Sequence, residues 1–368
     1  MSRVLNTFLD LARISSPSGR EAEVAAYVAE ALSAAGCEVR FDDTQSATGA
    51  DTGNLLAALP ATAPGMTVGL SAHLDCVQPC EGVEPVVADG FIRSAGETVL
   101  GADDKSGVAA IIETVRRLQE SDRPHGPVRI ALTVSEEIGL VGAKALALAD
   151  CAADLFVVLD ADGSVGGIVT AAPTHFTFTA TFSGCAAHAG VEPERGVSAI
   201  SMAAAAVGRM ALGRLDEGTT ANIGTIHGGS ATNVVAPTCE LTGECRSLDA
   251  DRVEAVRTEM DAAMRSAAAE AGGSVDVRWK LEYRGFRLAA DDPALALVES
   301  ACRGLGITPR LYTTGGGSDG NIISAHGVPT VVLAAGMAKV HSSAEELAVA
   351  ELERLADLVE AIICGAVC

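Results

Sequence analysis

Short, mostly aliphatic runs are the feature that most constrains how this chain can fold. They lie at residues 67–72, 128–134, 155–159 and 330–333, and segments with helical periodicity separate them. Runs of this length without polar alternation are typical of strands that are covered on both faces, as in parallel sheets. The sequence therefore predicts an α/β fold with helices on both sides of a mostly parallel sheet.

A different pattern interrupts this one near residue 174. Phe and Thr alternate over 174–182, which is the period of a sheet with one buried face. The segment that follows predicts the order β-α-β-β-α-β up to residue 286, a compact α+β unit. We therefore predict a larger domain of residues 1–173 and 287–368, interrupted by an inserted domain of residues 174–286.

The same patterns predict where two helices begin. A helix is predicted over 20–35, with Ser18 as its N-cap and glutamates in its first turn. A final helix is predicted over 343–363, directly after the histidine at position 341.

The net charge of −22 argues against two classes of partner. Nucleic acids and anionic membrane surfaces both attract proteins through Lys and Arg, so neither is expected to bind here. The sequence contains no apolar stretch of the roughly 18 residues that a membrane helix needs. Asp10 and Arg13 interrupt the N-terminal segment, which is not typical of a signal peptide, and we expect a cytoplasmic protein.

Histidines and carboxylates are concentrated in five short segments that adjoin these runs. They are 71–75 (SAHLD), 101–105 (GADDK), 135–137 (SEE), 158–160 (VLD) and 340–343 (VHSS). A single acidic segment is common at a strand end or in the first turn of a helix, and alone would indicate little. In open α/β sheets, however, ligands bind where the strands end, so we expect the five segments to meet.

The spacing within the segments indicates metal chemistry. His73 and Asp75 are two apart in an extended segment and face one side, so the carboxylate can orient the imidazole while its other nitrogen binds a metal. Glu136 and Glu137 would repel each other without nearby cations. One of them can bind a metal, and the other can act as general base.

Five residues form the predicted ligand set, with a charge of −3 against +4 for two divalent ions. Oxygen and nitrogen ligands without thiolate suit zinc, with cobalt or manganese as substitutes. The predicted ligands are His73, Asp103, Glu137, Asp160 and His341.

Taken in order, the five segments resemble the metal and catalytic motifs of the M20 clan of di-zinc peptidases, and most closely its peptidase T (tripeptidase) branch. The resemblance spans essentially the whole chain. It implies a zinc-exopeptidase catalytic domain with an inserted, ferredoxin-like lid. It also implies that His73 and Asp160 hold one metal, that Glu137 and His341 hold the other, and that Asp103 bridges the two.

The resemblance implies roles for three further residues. Asp75 would orient His73, and Glu136 would take a proton from the attacking water and pass it to the leaving amine. His188, in the segment AHAG, resembles a lid histidine that stabilises the oxyanion, in several relatives across a subunit interface. A homodimer formed through the lid is therefore a further expectation.

Substrate-binding candidates also come from the resemblance. Arg246 is one of them, since its planar guanidinium matches a substrate carboxylate. The Gly-rich loop at 315–321 is another, and it lacks the lysine of a phosphate-binding loop. The full candidate set is Asn233, Arg246, Gly316, Gly317, Ser318 and Asn321.

The function expected from the sequence is hydrolysis of short peptides by an aminopeptidase or tripeptidase with two metal ions. His341 is followed by Ser-Ser-Ala, where tripeptidases often have Thr-Thr-Asp, so the preferred peptide length stays open. One alternative is an amidohydrolase that acts on N-acyl, N-carbamoyl or N-succinyl amino acids with the same metals. The other is a catalytically silent binding protein, which is disfavoured because a competent residue occupies every catalytic position.

Overall fold

The chain divides into two compact units in a computed structural model that describes residues 2–367. Unit 1 comprises the residues up to Thr170, Arg287–Thr313 and the residues from Ser318 on, and unit 2 comprises Ala171–Phe286 and Thr314–Gly317. The sequence places 314–317 in the catalytic domain, whereas in the structure this segment groups with unit 2. The assignment of the two units as catalytic domain and lid stays a prediction.

The first part of unit 1 alternates helices and strands. In chain order these are α1 (Arg3–Arg13), α2 (Ala22–Ala34), β1 (Glu38–Phe41), α3 (Thr44–Thr48), β2 (Leu55–Leu59), β3 (Val68–His73), β4 (Pro85–Ala88), β5 (Phe91–Ser94), α4 (Ala102–Glu120), β6 (Val128–Thr133), α5 (Val141–Ala145), a 3-10 helix (Leu148–Cys151), β7 (Leu155–Ala161) and β8 (Gly167–Ala172).

Unit 2 follows, and unit 1 then resumes. Unit 2 contains β9 (Thr174–Ser183), a 3-10 helix (Pro193–Arg195), α6 (Ala199–Arg209), β10 (Gly213–Asp216), β11 (Thr219–Gly228), β12 (Thr238–Ser247), α7 (Ala250–Glu270) and β13 (Ser274–Tyr283). After it come β14 (Phe286–Arg287), α8 (Pro293–Gly304), β15 (Arg310–Thr313), α9 (Asp319–Ala325), β16 (Thr330–Ala334), β17 (Met337–Ala338), β18 (Glu346–Ala348) and α10 (Val349–Gly365). Within residues 2–367, no helix combines the length and the hydropathy that crossing a bilayer requires.

The main sheet of unit 1 confirms the predicted α/β fold. Its strand order is β1-β2-β6-β3-β7-β16-β8-β14, with β15 beside β8. The four strands β6, β3, β7 and β16 are parallel, and they are the four aliphatic runs of the sequence. Because His73 lies opposite Thr133 in the register, the carboxyl ends of β3 and β6 meet at one edge of the sheet. That edge carries most of the predicted ligands.

The antiparallel sheet of unit 2 confirms the predicted α+β layer. Its order is β10-β11-β12-β9-β13, and every neighbouring pair is antiparallel. Phe178 and Phe182 of β9 are buried in one cluster with Met202 of α6 and Met260 of α7, whereas the alternating threonines of β9 point away from that cluster. The short strand β10 is an addition that the sequence pattern did not predict.

Both predicted helix starts are wrong, for identifiable reasons. The N-cap of α2 is Glu21, and the hydroxyl of Ser18 donates instead to the Asp75 carboxylate at 2.6 Å. The last helix begins at Val349, because the preceding residues form β18 and pair with β5. The segment between His341 and β18 is therefore a loop.

Candidate metal centre

The Asp103 carboxylate lies between the two predicted histidine ligands. Its Oδ1 is 3.1 Å from Nε2 of His73, and its Oδ2 is 3.1 Å from Nε2 of His341. Two donors bound to one tetrahedral zinc ion at about 2.0–2.2 Å lie roughly 3.3 Å apart. The spacing on both sides of Asp103 thus fits a carboxylate that bridges two ions.

The imidazole of His73 is held in one tautomer. Its Nδ1 lies 3.0 Å from the backbone oxygen of Asp75, which can only accept, so Nδ1 carries the hydrogen. Nε2 lies 3.1 Å from Oδ1 of Asp103, which accepts its hydrogen while the ring is protonated, and 3.7 Å from Oδ1 of Asp160. Once that proton is lost, the Nε2 lone pair can bind a metal. Donor atoms of His73, Asp104 and Asp160 lie within 4.8 Å of one another, as do those of His73, Asp103 and Glu137, so either group could hold an ion.

A further candidate group contains Glu137 and His341, again with Asp103. Oε2 of Glu137 lies 3.1 Å from Nε2 of His341. Oε1 of Glu137 is buried and has no hydrogen-bond partner within the described chain. A buried carboxylate oxygen without a donor is unfavourable, and a cation would satisfy it. The donor chemistry of this cluster therefore fits divalent metal ions.

The two neighbouring carboxylates in the first turn of α4 make different contacts. Asp103 and Asp104 have non-helical backbone angles and are joined by a cis peptide bond. Oδ2 of Asp104 accepts from the backbone N–H of His73 at 3.2 Å, and its Oδ1 accepts from that of Gly107 at 3.1 Å. A Cβ at position 107 would lie 2.5 Å from Asp104, so this position requires glycine. Asp104 thus ties β3 to α4, and Asp103 faces the histidines.

Asp75 connects His73 to the Glu136–Glu137 pair. It is fully buried, and its Oδ1 accepts from the backbone N–H of Glu136 at 2.9 Å. Its Oδ2 accepts from the backbone N–H of Glu137 at 3.2 Å and from the Ser18 hydroxyl. Oδ1 also lies 3.4 Å from Nδ1 of His73. One carboxylate therefore positions an imidazole and the loop after β6 together.

Burial and mutual repulsion shift the pKa values of the clustered carboxyl groups. Burial, with the charge of Asp160, raises the pKa of Glu136 well above its usual value. Burial also raises the pKa of Asp160, and the Asp103 charge adds to this effect. Burial opposes ionisation of Asp103 too, but hydrogen bonds from His341 and His73 hold its pKa below the usual range. Divalent cations would relieve the repulsion among these groups.

Hydrogen bonds to two carboxylates dominate the behaviour of His341. Those to Asp103 and Glu137 raise the pKa of His341 to about 10, although burial acts in the opposite direction. The side chain is 53% exposed and has a left-handed backbone with φ of 59°. Backbone strain of this kind is often found at functional sites.

Two buried carboxylates near the cluster were missed by sequence reasoning. Glu345 accepts hydrogen bonds from the backbone just before and at Asp103. Asp319 accepts from the hydroxyl of Thr133 at the end of β6, and its Oδ1 is buried without a partner among residues 2–367. Asp319 lies in the Gly-rich loop at 315–321 and Glu345 lies two residues after the segment 340–343, but their spacing to other polar residues indicates no shared site.

His188 and Asn233 lie on adjacent segments of unit 2. His188 and Val234 form an isolated antiparallel β-bridge, and the backbone N–H of Ala189 donates to the backbone oxygen of Asn233 at 3.0 Å. The His188 side chain is exposed, and its Nδ1 accepts from the backbone of Gly190 at 3.2 Å. The proposed roles of both residues stay predictions.

Arg246 is held by a neighbouring carboxylate on the same strand. Its Nη2 lies 2.9 Å from Oε2 of Glu244, which also lies 2.9 Å from Nε2 of His175. Nη1 of Arg246 is 3.4 Å from both the Tyr283 hydroxyl and the Gly315 oxygen. The guanidinium is therefore positioned, and partly neutralised, before any substrate binds.

The Gly-rich loop divides between the two units. The backbone N–H of Gly316 donates to the Thr314 hydroxyl at 3.1 Å, and Gly317 packs against a tyrosine ring. Ser318 and Asn321 form the capping box of α9, in which the Ser318 N–H donates to Oδ1 of Asn321 at 3.1 Å. Their polar atoms start a helix, and a role in substrate binding stays a prediction.

Comparison with known proteins agrees with this geometry. The sequence profile of peptidase family M20/M25/M40 matches residues 69–364. An uncharacterized protein of Bacillus subtilis (strain 168) is 42% identical over 98% of this chain and 97% of its own length. The structure of aminopeptidase PepT from Bacillus cereus has 44% identity over 99% of this chain and 98% of that one, with a TM-score of 0.93. A tripeptidase structure from Staphylococcus aureus has 39% identity, coverage of 98% and 97%, and a TM-score of 0.95.

The fold and the ligand cluster define a metallopeptidase, an enzyme of the hydrolase class. The parallel-rich sheet and the separate antiparallel sheet match those of the related structures. The chain belongs to peptidase family M20/M25/M40, and the resemblance to its peptidase T branch is confirmed.

Proposed function

We propose that this protein is an exopeptidase with two metal ions that hydrolyses short peptides. The observation that carries the proposal is the Asp103 carboxylate, whose two oxygens each lie 3.1 Å from a different histidine. The names aminopeptidase and tripeptidase on two similar structures support the substrate class. Oxygen and nitrogen donors favour zinc, with cobalt or manganese as substitutes.

The proposed ligands divide between the two ions. His73 and Asp160 would hold the first ion, Glu137 and His341 the second, and Asp103 both. When bound, the ions would polarise the scissile carbonyl and make a water molecule a stronger nucleophile.

Glu136 is the proposed proton carrier of the reaction. Its carboxyl group is buried, and burial raises its pKa, so it accepts a proton more readily than an exposed glutamate does. It would take the proton from the attacking water and deliver it to the leaving amine. The hydrogen bond from its backbone N–H to Asp75 holds the backbone from which this side chain extends.

Further residues would bind the substrate. His188 would donate to the developing oxyanion, and Arg246, positioned by Glu244, would pair with a substrate carboxylate. The remaining proposed contacts are Asn233, Gly316, Gly317, Ser318 and Asn321.

A homodimer formed through unit 2 is part of the proposal. The short strand β10 pairs only with residues 219–221 of β11, so residues 222–228 have no second neighbouring strand in the part of the chain described. Ile226 on this edge is 51% exposed, and Ile200 of α6 is 41% exposed. An open strand edge with apolar side chains favours pairing between chains. Light scattering after gel filtration should give twice the chain mass, and a monomer at micromolar concentration would contradict the dimer.

Metal reconstitution followed by a substrate panel tests the proposed function. Metal-free protein is titrated with zinc or cobalt, then assayed on tripeptides and on N-acyl, N-carbamoyl and N-succinyl amino acids. We expect two ions per chain and turnover of the tripeptides. Failure to bind metal would refute the proposal. Turnover of acylated amino acids alone would indicate an amidohydrolase, and metal binding without any turnover would indicate a silent binding protein.

A further inference from the structure

The segment that carries Asp103 is held by a carboxylate more than 240 residues further along the chain. Oε2 of Glu345 accepts from the backbone N–H of Leu100 at 2.7 Å and from that of Gly101 at 2.9 Å. Oε1 of Glu345 accepts from the backbone N–H of Asp103 at 3.0 Å. The three donors converge on one side chain that is only 2% exposed.

The chemistry of Glu345 is unusual for a residue that only fills space. Burying a carboxylate is unfavourable, and the described chain offers Glu345 no ion pair. Burial raises the pKa of Glu345, and three backbone N–H groups that would otherwise be unsatisfied donors at the start of α4 partly offset this effect. Hydrogen bonds to an ionised acceptor are shorter and roughly twice as strong as neutral ones. The contact therefore fixes the backbone at Asp103 firmly.

Glu345 also belongs to the loop that carries the other end of the candidate bridge. It lies four residues after His341. Its own backbone N–H donates to the backbone oxygen of Ser342 at 3.1 Å, which closes a turn in that loop. One side chain thus ties the loop of His341 to the segment of Asp103. The side chains of Asp103 and His341, one on each of the two tied segments, lie 3.1 Å apart.

We propose that Glu345 is the positioning residue of the bridging aspartate, and that it sets the affinity of the site for its metal pair. This inference rests on the proposed two-metal function. It assigns to Glu345 no contact with metal or substrate, only control over where Asp103 lies relative to His341.

The test replaces Glu345 with Gln and measures zinc affinity. The variant keeps the size of the side chain, but one of its two ends becomes an N–H₂ group that faces backbone N–H donors. We expect zinc binding to weaken about 10- to 100-fold, the usual effect of losing a residue that orients a metal ligand. Competition with a chromophoric chelator gives the affinity, and circular dichroism gives the unfolding temperature of the metal-free protein.

Glu346→Gln is the matched control, because it removes the same charge one residue later. The Glu346 carboxylate contacts Arg93 and Lys339 and none of the candidate ligands. Its zinc affinity should equal that of the wild type. If Glu345→Gln binds zinc as tightly as the control while remaining folded, the proposal is overturned. If the wild type itself binds no zinc, the proposed function fails instead, and the two failures are thereby distinguished.

Glu345→Asp keeps the test decisive if the first variant does not fold. It retains the charge but is shorter by one methylene, so it can reach some of the three donors. We expect a zinc affinity between those of the wild type and Glu345→Gln, with a metal-free unfolding temperature close to that of the wild type. Wild-type zinc affinity in folded Glu345→Asp would overturn the proposal. So would the failure of both variants to fold, because Glu345 would then support the whole unit.

Discussion

Replacing Asp75 with Asn should weaken both metal binding and turnover, although the residue touches no metal in the proposed scheme. Asn has the same size, but only one of its two terminal atoms can accept. If its oxygen keeps the two donors at the Oδ2 position, its N–H₂ group faces the backbone N–H of Glu136 and Nδ1–H of His73. Glu136, the proposed general base, and His73, a proposed metal ligand, then lose the carboxylate that positions both.

The expected size of the effect follows from these contacts. A hydrogen bond to a charged acceptor contributes about 1.5–3 kcal/mol, and the backbone bond of Glu136 to Asp75 is of this kind. At about 1.4 kcal/mol per factor of ten, its loss lowers kcat roughly 10- to 150-fold. Losing the residue that orients a metal-ligating histidine lowers metal affinity about 10- to 100-fold.

Steady-state kinetics on a tripeptide and zinc titration of the same preparation measure the two effects. Asp154→Asn is the matched control. The Asp154 carboxylate accepts from the backbone N–H of Thr67 at 2.8 Å, at the opposite ends of β3 and β7, and its loss removes the same charge. The reasoning is refuted if Asp75→Asn retains wild-type kcat and zinc affinity, or if Asp154→Asn loses as much of both.

Three further perturbations have defined outcomes. Glu136→Gln should keep its metals, but its kcat should fall about 10²- to 10⁴-fold. Glu97 is exposed, so the control variant Glu97→Gln should keep the wild-type kcat. An active Glu136→Gln would exclude this residue as the proton carrier. With a pKa of about 10, His341 is protonated at pH 7 in the metal-free protein. Because it must lose this proton to bind a metal, zinc affinity should rise about tenfold per pH unit for each proton released. Calorimetry in buffers of different ionisation enthalpy measures this release, and a zinc affinity that is constant from pH 6 to 8 would rule it out. Gly317→Ala places a Cβ 2.3 Å from the Tyr283 ring, so it should lower the free energy of unfolding in urea by about 1–3 kcal/mol. In the control Gly316→Ala the added Cβ has its nearest neighbour at 3.7 Å, so stability should change little. Equal stability of the two variants would contradict the packing argument.

The sequence predicted the sheet and most of the candidate cluster because both depend on local patterns. Aliphatic runs of strand length predicted parallel strands, and parallel strands end at the same edge. Residues that end a strand, such as His73 and Asp160, could therefore be grouped before any contact was known. Two-residue spacing in an extended segment similarly predicted that Asp75 orients His73, and the two groups lie 3.4 Å apart.

The residues that position this cluster could not be predicted, because their partners are distant in sequence. Ser18 and Asp75 are 57 residues apart, and Glu345 and Asp103 are 242 apart. Such pairs depend on loop conformations that no periodicity describes. The predicted helix over 343–363 would have placed Glu345 in a first turn, whereas pairing of β18 with β5 leaves it in a loop. The Arg246–Glu244 pair could have been foreseen, since residues two apart on a strand share a face.

The position of β16 in the main sheet has a consequence for how the protein is made. This strand lies between β7 and β8, yet more than 150 residues, including all of β9–β13, separate it from them along the chain. Contacts of such high sequence separation form late, so a growing chain can complete the contiguous residues 171–286 first. Until the ribosome has added β16 and His341, one edge of β7 has no neighbouring strand, and the clustered acidic groups lack the His341 imidazole. We therefore expect the nascent protein to depend on protection from aggregation, and to bind the proposed metal pair only after the last strand is in place.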